Sequence, residues 1–346
     1  MSKNQYFNHF WIKHKVQKII CYEYWPVWVF YAAFVPAYFW FSLKNRDLLY
    51  FCKTNPSLEN GGFFGYSKSE IQKYIPQEFR AKEQIFDQNK KLILTKFPMI
   101  AKPDVGERGK GVIRLNNQSE LNEFLSQLNE NQKIILQEYI DLPKEFGVFY
   151  CKYPKDEHGR ILGITGKEFL VFKGNGRQTL REFIQQNERA FFRKKYLENK
   201  FSAILDKVLH KGETILLEPI GNHNRGTRFF DASHLATQEL LAQIEKVIRQ
   251  IPQYSYGRLD VKAVSDDALK QGKFKVIEVN GVNSEPTHIY DENYTLFRAY
   301  REVYKALRHQ SNIARKWGQR GVKSPKIREF LLALMVHLFS YKKWKK

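Results

Sequence analysis

The sequence predicts an α+β protein, in which neighbouring strands pair through short turns and the helices lie outside them. Two observations carry that expectation. Residues 97–115, "FPMIAKPDVGERGKGVIRL", read as a strand, a glycine-rich turn and a returning strand. Further along, "YGRLDVKAV" and "FKVIEVN" read as the two arms of one hairpin. Ser67 with Glu70, and Ser324 followed by Pro325, mark helix starts outside these strands.

Composition sets the bounds. A chain of 346 residues with 43% hydrophobic content has room for two or three domains and a sizeable core. The excess of 57 Lys+Arg over 36 Asp+Glu gives a formal charge of +21, which attracts polyanions: nucleic acid, an anionic membrane surface or phosphorylated substrates. Cys21, Cys52 and Cys151 are scattered and odd in number, which argues against a disulfide framework or a zinc site and for a reducing compartment.

Near the N-terminus, "YWPVWVFYAAFVPAYFWFSL" (Tyr24–Leu43) carries no charge and approaches the length of a bilayer span. Its Trp, Tyr and Phe favour the membrane–water boundary, and Pro26 and Pro36 break a straight helix. Lys13, Lys15 and Lys18 precede it, and Lys44 and Arg46 follow it. A segment that dips into the membrane and returns at Pro36, or lies in the interface, keeps both basic flanks on the cytoplasmic side. The competing expectation is an aromatic helix buried in the core. The stretch lacks the cleavage site of a signal peptide. "DLLYFCKTNP" then reads as a short buried strand, followed by a glycine-rich loop and the helix starting at Ser67.

In the turn after Lys102, Gly106, Gly109 and Gly111 allow backbone N–H groups to lie over phosphates beside a lysine charge. The turn is not a Walker loop, because no Gly-Lys-Ser/Thr follows. "KIILQEYIDLPKEFGVFY" (133–150) supplies an apolar strand, a polar connector and a second strand, with Glu138 and Glu145 spaced to bracket a pocket. Lys167 follows in strand context, and "EPIGNHNRGTRFFD" offers Arg225 and Arg228. If the hairpin closes symmetrically about residue 269, Val264 faces Phe274 and Asp260 faces Glu278. Arg258, Asp260, Glu278 and Asn280 then share one face, and three oxygen donors around one spot suit Mg²⁺.

This order of elements resembles the ATP-grasp superfamily, most closely its D-alanine–D-alanine ligase-like branch. The resemblance runs over roughly residues 91–291 and rests on "FPMIAKP" with its glycines, "QEYI…KEFGV", and "GRLDV" followed by "IEVN". It implies two α+β subdomains clasping ATP, with Lys102 and Lys167 on the phosphates and the loop Gly106–Gly111 closing over them. It implies adenine along Glu138, Tyr139 and Ile140, ribose at Glu145, and two Mg²⁺ (or Mn²⁺ as substitute) on Asp260, Glu278 and Asn280. Arg258 would stabilise the transferred phosphoryl group, with Lys167, Arg225 and Arg228 as further catalytic candidates. The activity implied is an ADP-forming ligase that joins a carboxylate to an amine through an acyl phosphate. Two departures stand out: the N-terminal region is short and aromatic, and "GVNSEPTHIYD" after Asn280 is not the pattern that holds a second D-alanine. D-alanine as substrate is therefore not implied.

The expected organisation is an N-terminal region (1–90), an ATP-grasp catalytic domain (91–310) and a basic amphipathic tail (311–346). That tail holds ten Lys/Arg and one acid, Glu329, around an apolar run from Phe330 to Phe339, the character of an interfacial helix with a polybasic anchor. The reading is thus a ligase at the cytoplasmic membrane face, acting on small-molecule or lipid-linked substrates. Two alternatives stay open: a phosphotransferase on the same fold, and a non-catalytic nucleic-acid-binding protein. Against the latter, the charge gathers at the chain ends and no nucleic-acid-binding motif is visible.

Overall fold

The computed structural model describes residues 20–86, 96–106, 111–128, 133–219, 221 and 225–342. Two short helices come first, α1 (Val27–Ala32) and α2 (Val35–Asn45), then α3 (Lys68–Gln72). Strands β1 (Glu83–Phe86), β2 (Met99–Pro103) and β3 (Ile113–Leu115) precede α4 (Gln118–Ser126) and β4 (Ile134–Glu138). Next come β5 (Lys144–Cys151), β6 (Arg160–Glu168), β7 (Val171–Lys173), three short helices α5 (Leu180–Gln186), α6 (Glu188–Phe191) and α7 (Lys194–Lys200), and then β8 (Thr214–Leu216) and β9 (Arg228–Asp231). The chain closes with α8 (Gln238–Ile248), β10 (Tyr256–Ala263), α9 (Asp266–Lys270), β11 (Lys275–Asn280), α10 (Leu296–Gly318) and α11 (Ile327–Lys342).

The strands form a mixed α+β fold of antiparallel sheets, as the turn-linked strand pairs predict. One sheet runs β1-β4-β2-β3, the second β11-β10-β5-β6-β9, and β7 pairs with β8. The polar connector between β4 and β5 carries the chain from the first sheet to the second. Thr237 caps α8, whose Leu240, Ile244, Val247 and Ile248 recur at helical spacing and bury against the five-stranded sheet with Phe146, Val148, Leu259 and Val261. Under the four-stranded sheet, Leu121 of α4 joins Met99, Ala101, Ile134 and Leu136. The β7–β8 pair and α5–α7 enclose a separate small core.

The aromatic segment divides between the two expectations. Phe30, Phe34 and Tyr22 bury against Ile289, Ala299 and Val303, so one side of α1 is core. The other side faces outward, with Trp28 76% exposed, and on α2 Leu43 is 72% exposed. Pro36 sits in the first turn of α2, where its missing N–H costs nothing. No helix among the described residues is long and apolar enough to cross a membrane. Lys13, Lys15 and Lys18 lie outside the described residues.

Three local expectations are corrected. "DLLYFCKTNP" is not a strand but a 3₁₀ turn, Tyr50–Lys53. Asp47 causes this by accepting the Leu49 N–H at 2.9 Å and pairing with Lys53 at 2.7 Å, which coils the segment. The final helix starts at Ile327 rather than at Pro325, because the single Ser324 O–H is directed at the Asp47 carboxylate (2.7 Å) and the Leu49 carbonyl (2.9 Å), which share it, instead of capping. A boundary at 311 would cut through α10, where Ile313, Ala314 and Trp317 are buried; a boundary at 91 falls outside the described residues. Ser67 does cap its helix, accepting the Glu70 N–H at 3.2 Å.

The N-terminal loop is stitched to the five-stranded sheet. Buried Asn55 accepts the N–H groups of Ser255 and Tyr256 and donates to the carbonyls of Gly61 and Tyr256. Gly62, at φ +79°, crosses Gly281 so closely that a Cβ on Gly62 would lie 2.6 Å from the Gly281 Cα.

Candidate active site

A cavity of about 360 Å³ is lined by residues of both large sheets and by the N-terminal segment. The β10–β11 hairpin supplies its floor. Arg258 pairs with Asn280 and Asp260 with Glu278 across the two strands, so period-two alternation places all four on the cavity face. The pairing slips by one residue between Asp260 and Val261, so the symmetric closure stops there and Val264 does not face Phe274.

Asp260 is the hub. Its carboxylate accepts from Arg258 (3.0 and 3.2 Å), from Lys167 (3.2 Å) and from the Asn280 amide (3.2 Å). Lys167, on β6, also reaches Glu145 on β5 at 2.8 Å, and these three side chains are only 5, 8 and 9% exposed. Burial alone would raise the Asp260 pKa, but the charges of Arg258 and Lys167 outweigh it and hold the carboxyl down to about 2. Burial likewise works against the Lys167 and Arg258 cations, yet Asp260 raises both. Gly147 on β5 lies opposite Asp260, and a Cβ there would come within 2.9 Å of the Arg258 side chain. The glycine of "KEFGV" thus leaves room for the guanidinium to lie across the sheet.

Lys102, near the end of β2, enters from the four-stranded sheet. It touches the Gln137 side-chain oxygen at 3.2 Å and the Ile277 carbonyl at 3.5 Å. Burial pushes its ammonium pKa down, against the opposing pull of Glu278 and Glu83. Glu138, Tyr139 and Ile140 line the same end. The N–H groups of Glu138 and Tyr139 are donated to Lys82 and Pro98, and Lys262 donates to the Ile140 carbonyl at 3.1 Å. Gly106 lines the cavity and Gly111 adopts φ +68°, while Gly109 lies outside the described residues.

Arg225 and Arg228 are not among the residues lining the cavity. Arg225 pairs with Glu218 at 3.5 Å; Arg228 pairs with Glu168 at 2.9 Å and with Glu292 at the far edge of the sheet. Conversely, the structure brings in Lys68, which the sequence reading missed. Its ammonium sits 3.0 Å from Glu278. Asp104, two residues beyond Lys102, fixes it there by accepting from Ser67 and from the Ser69 N–H, tying the start of α3 to the end of β2. At the opposite end the walls are Trp25 and Val27 of the N-terminal segment with Glu285, Thr287 and Tyr290.

The donor chemistry fits a hard divalent cation: two carboxylates on facing positions and an amide two residues further along the same face. Among the described residues no group of three or more His, Cys, Asp or Glu is placed to hold a metal alone, so phosphate and water oxygens would complete any shell.

Comparison with known proteins matches residues 35–144 to the model of the tubulin-tyrosine ligase family. No curated protein matches the chain. Solved structures with a similar arrangement include a D-alanine–D-alanine ligase from Bacillus anthracis, at TM-score 0.41 and 14% identity over 73% of this chain and 68% of that one. A VanG D-Ala:D-Ser ligase from Enterococcus faecalis gives TM-score 0.41 and 12% identity over 78% and 64%. An L-amino acid ligase from Bacillus licheniformis gives 0.34 and 16% over 62% and 40%. The chain thus spans less than two thirds of the latter two.

Proposed function

We propose that this protein is an ATP-dependent, ADP-forming ligase that joins a carboxylate to an amine. The observation carrying this reading is one cavity that gathers Lys102, Lys167 and Arg258 around Asp260, Glu278 and Asn280. The family match of residues 35–144 supports it. In this scheme Lys102 and Lys167 bind the ATP phosphates, Glu138–Ile140 border the adenine, and Glu145 lies toward the ribose while holding Lys167. Asp260, Glu278 and Asn280 would hold Mg²⁺ or Mn²⁺, which neutralises phosphate charge when bound. A substrate carboxylate oxygen attacks the γ-phosphorus and ADP leaves. The amine nitrogen then attacks the acyl carbon, loses a proton, and inorganic phosphate departs.

The chain's own contribution is positioning and electrostatics. Arg258, clamped by Asp260, presents a fixed guanidinium to the phosphoryl group in transfer. Lys68 adds a fourth cation from the N-terminal side, beside Glu278. Arg225 and Arg228 take no part. The reaction is placed at the cytoplasmic face of a membrane, on small-molecule or lipid-linked substrates. Glu278→Gln, assayed by Mg·ATP-dependent ADP release across a panel of carboxylates with amines, should lower turnover by about a hundredfold or more. Wild-type rates in the variant would remove Glu278 from the metal site.

A further inference from the structure

Helix α11 packs through a narrow seam. Phe330 meets Phe51 and Phe64 edge-on and Phe63 at a tilt, His337 packs tilted against Phe64, and Ala333 and Leu334 complete the contact. Among the described residues of the helix, Leu331, Leu332, Met335, Val336 and Leu338 turn outward, 49 to 60% exposed. An apolar face of this kind on a helix in water needs a partner. It is rimmed by Lys323, Lys326 and Arg328, with Glu329 as the one acid. The start of α11 is tied to the end of α2 through Ser324 and Asp47. There α2 shows a second outward face, Phe39, Trp40 and Leu43, beside Lys44 and Arg46, with the Lys44 ammonium 4.9 Å above the Trp40 ring.

We propose that the outward faces of α11 and α2 form a docking surface for an anionic lipid bilayer, with α11 lying in the plane of the interface. Sixteen residues make a helix about 24 Å long, short of the roughly 30 Å hydrocarbon core, so α11 does not span. Aliphatic side chains on one side, cations at the rim and indole and phenyl rings nearby are the chemistry of an interfacial helix. A second copy of the chain fits poorly, because it would bring two cationic rims of a +21 protein together. This inference rests on the membrane-face placement proposed above but not on the ligase chemistry; vesicle binding requires no ATP, so the two fail separately.

The test is flotation of the full chain with vesicles of phosphatidylcholine alone and of phosphatidylcholine with phosphatidylglycerol. The intact protein should float with the anionic vesicles, and high salt should weaken but not abolish binding. Leu332→Asp/Met335→Asp/Val336→Asp, which leaves the seam intact, should reduce partitioning at least about tenfold while melting temperature and Mg·ATP binding stay as in the wild type. Lys326→Glu/Arg328→Glu should cost about fivefold or more per residue on anionic vesicles and far less on neutral ones. Intact protein that stays in the soluble fraction with both vesicle types, or a triple variant that floats unchanged, overturns the proposal. So does a lipid-free dimer that the triple substitution dissolves, which would assign the surface to a second copy.

Discussion

Replacing Lys167 by methionine would keep the length of the side chain and remove a cation that two buried carboxylates share. Asp260 would retain the Arg258 fork and the Asn280 amide, so its loss is small, about 1 kcal/mol. Among the described residues Glu145 has no second cation within bonding distance, and its side chain is only 8% exposed. Stranding that charge should cost about 3 kcal/mol, for a total of about 3–5 kcal/mol at neutral pH. Urea denaturation of wild type and variant measures the sum. Adding Glu145→Gln to Lys167→Met removes the stranded charge, so the double variant should recover about 2 kcal/mol, and the cycle isolates the pair. A single-variant loss below about 1 kcal/mol, or a cycle with no coupling, would refute the idea that Lys167 neutralises Glu145.

Further outcomes follow from the same geometry. Lys102→Met should weaken ATP binding about tenfold or more by calorimetry, while the fold holds because the polar partners of Lys102 are neutral oxygens; an unchanged Kd would move the phosphate site elsewhere. Asp260 has a folded pKa near 2 against an ordinary value of 3.8, so it contributes stability above pH 4 that is lost as pH falls toward 2. Wild type should therefore exceed Asp260→Asn by roughly 2 kcal/mol at pH 5, with the difference shrinking below about pH 3 in denaturant titrations. A difference that does not change between those pH values would contradict the charge clamp.

What was legible in the sequence is what strand alternation controls. Arg258, Asp260, Glu278 and Asn280 share a face because side chains repeat every two residues, and their strands are long enough for that to show. The one-residue slip after Asp260 was not legible, since no glycine or proline marks it. Lys68 was hidden for a different reason. Its approach to Glu278 depends on Asp104 reaching across to cap α3, a contact between segments that carry no joint pattern. Arg225 and Arg228 lie outside the cavity lining, in ion pairs with Glu218 and Glu168, and nearness in sequence to a glycine carries no sign of those partners. In the aromatic segment, composition could not separate Phe30 inward from Trp28 outward; only the packing partner, α10, decides that.

The crossing of Gly62 over Gly281 leaves the candidate site with no mechanical clearance at one point. Asn280 is the residue immediately before that crossing, and the Val282 N–H is donated to the Gly61 carbonyl at 3.1 Å, so the strand end is pressed between two fixed backbones. A single methyl group at either glycine would act as a shim and lift the Asn280 amide away from Asp260 without touching any charged group. The alignment of the cavity floor therefore inherits its tolerance from a loop near the start of the chain. Edits to that loop, remote from any reacting atom, should register first as a change in cation and nucleotide affinity.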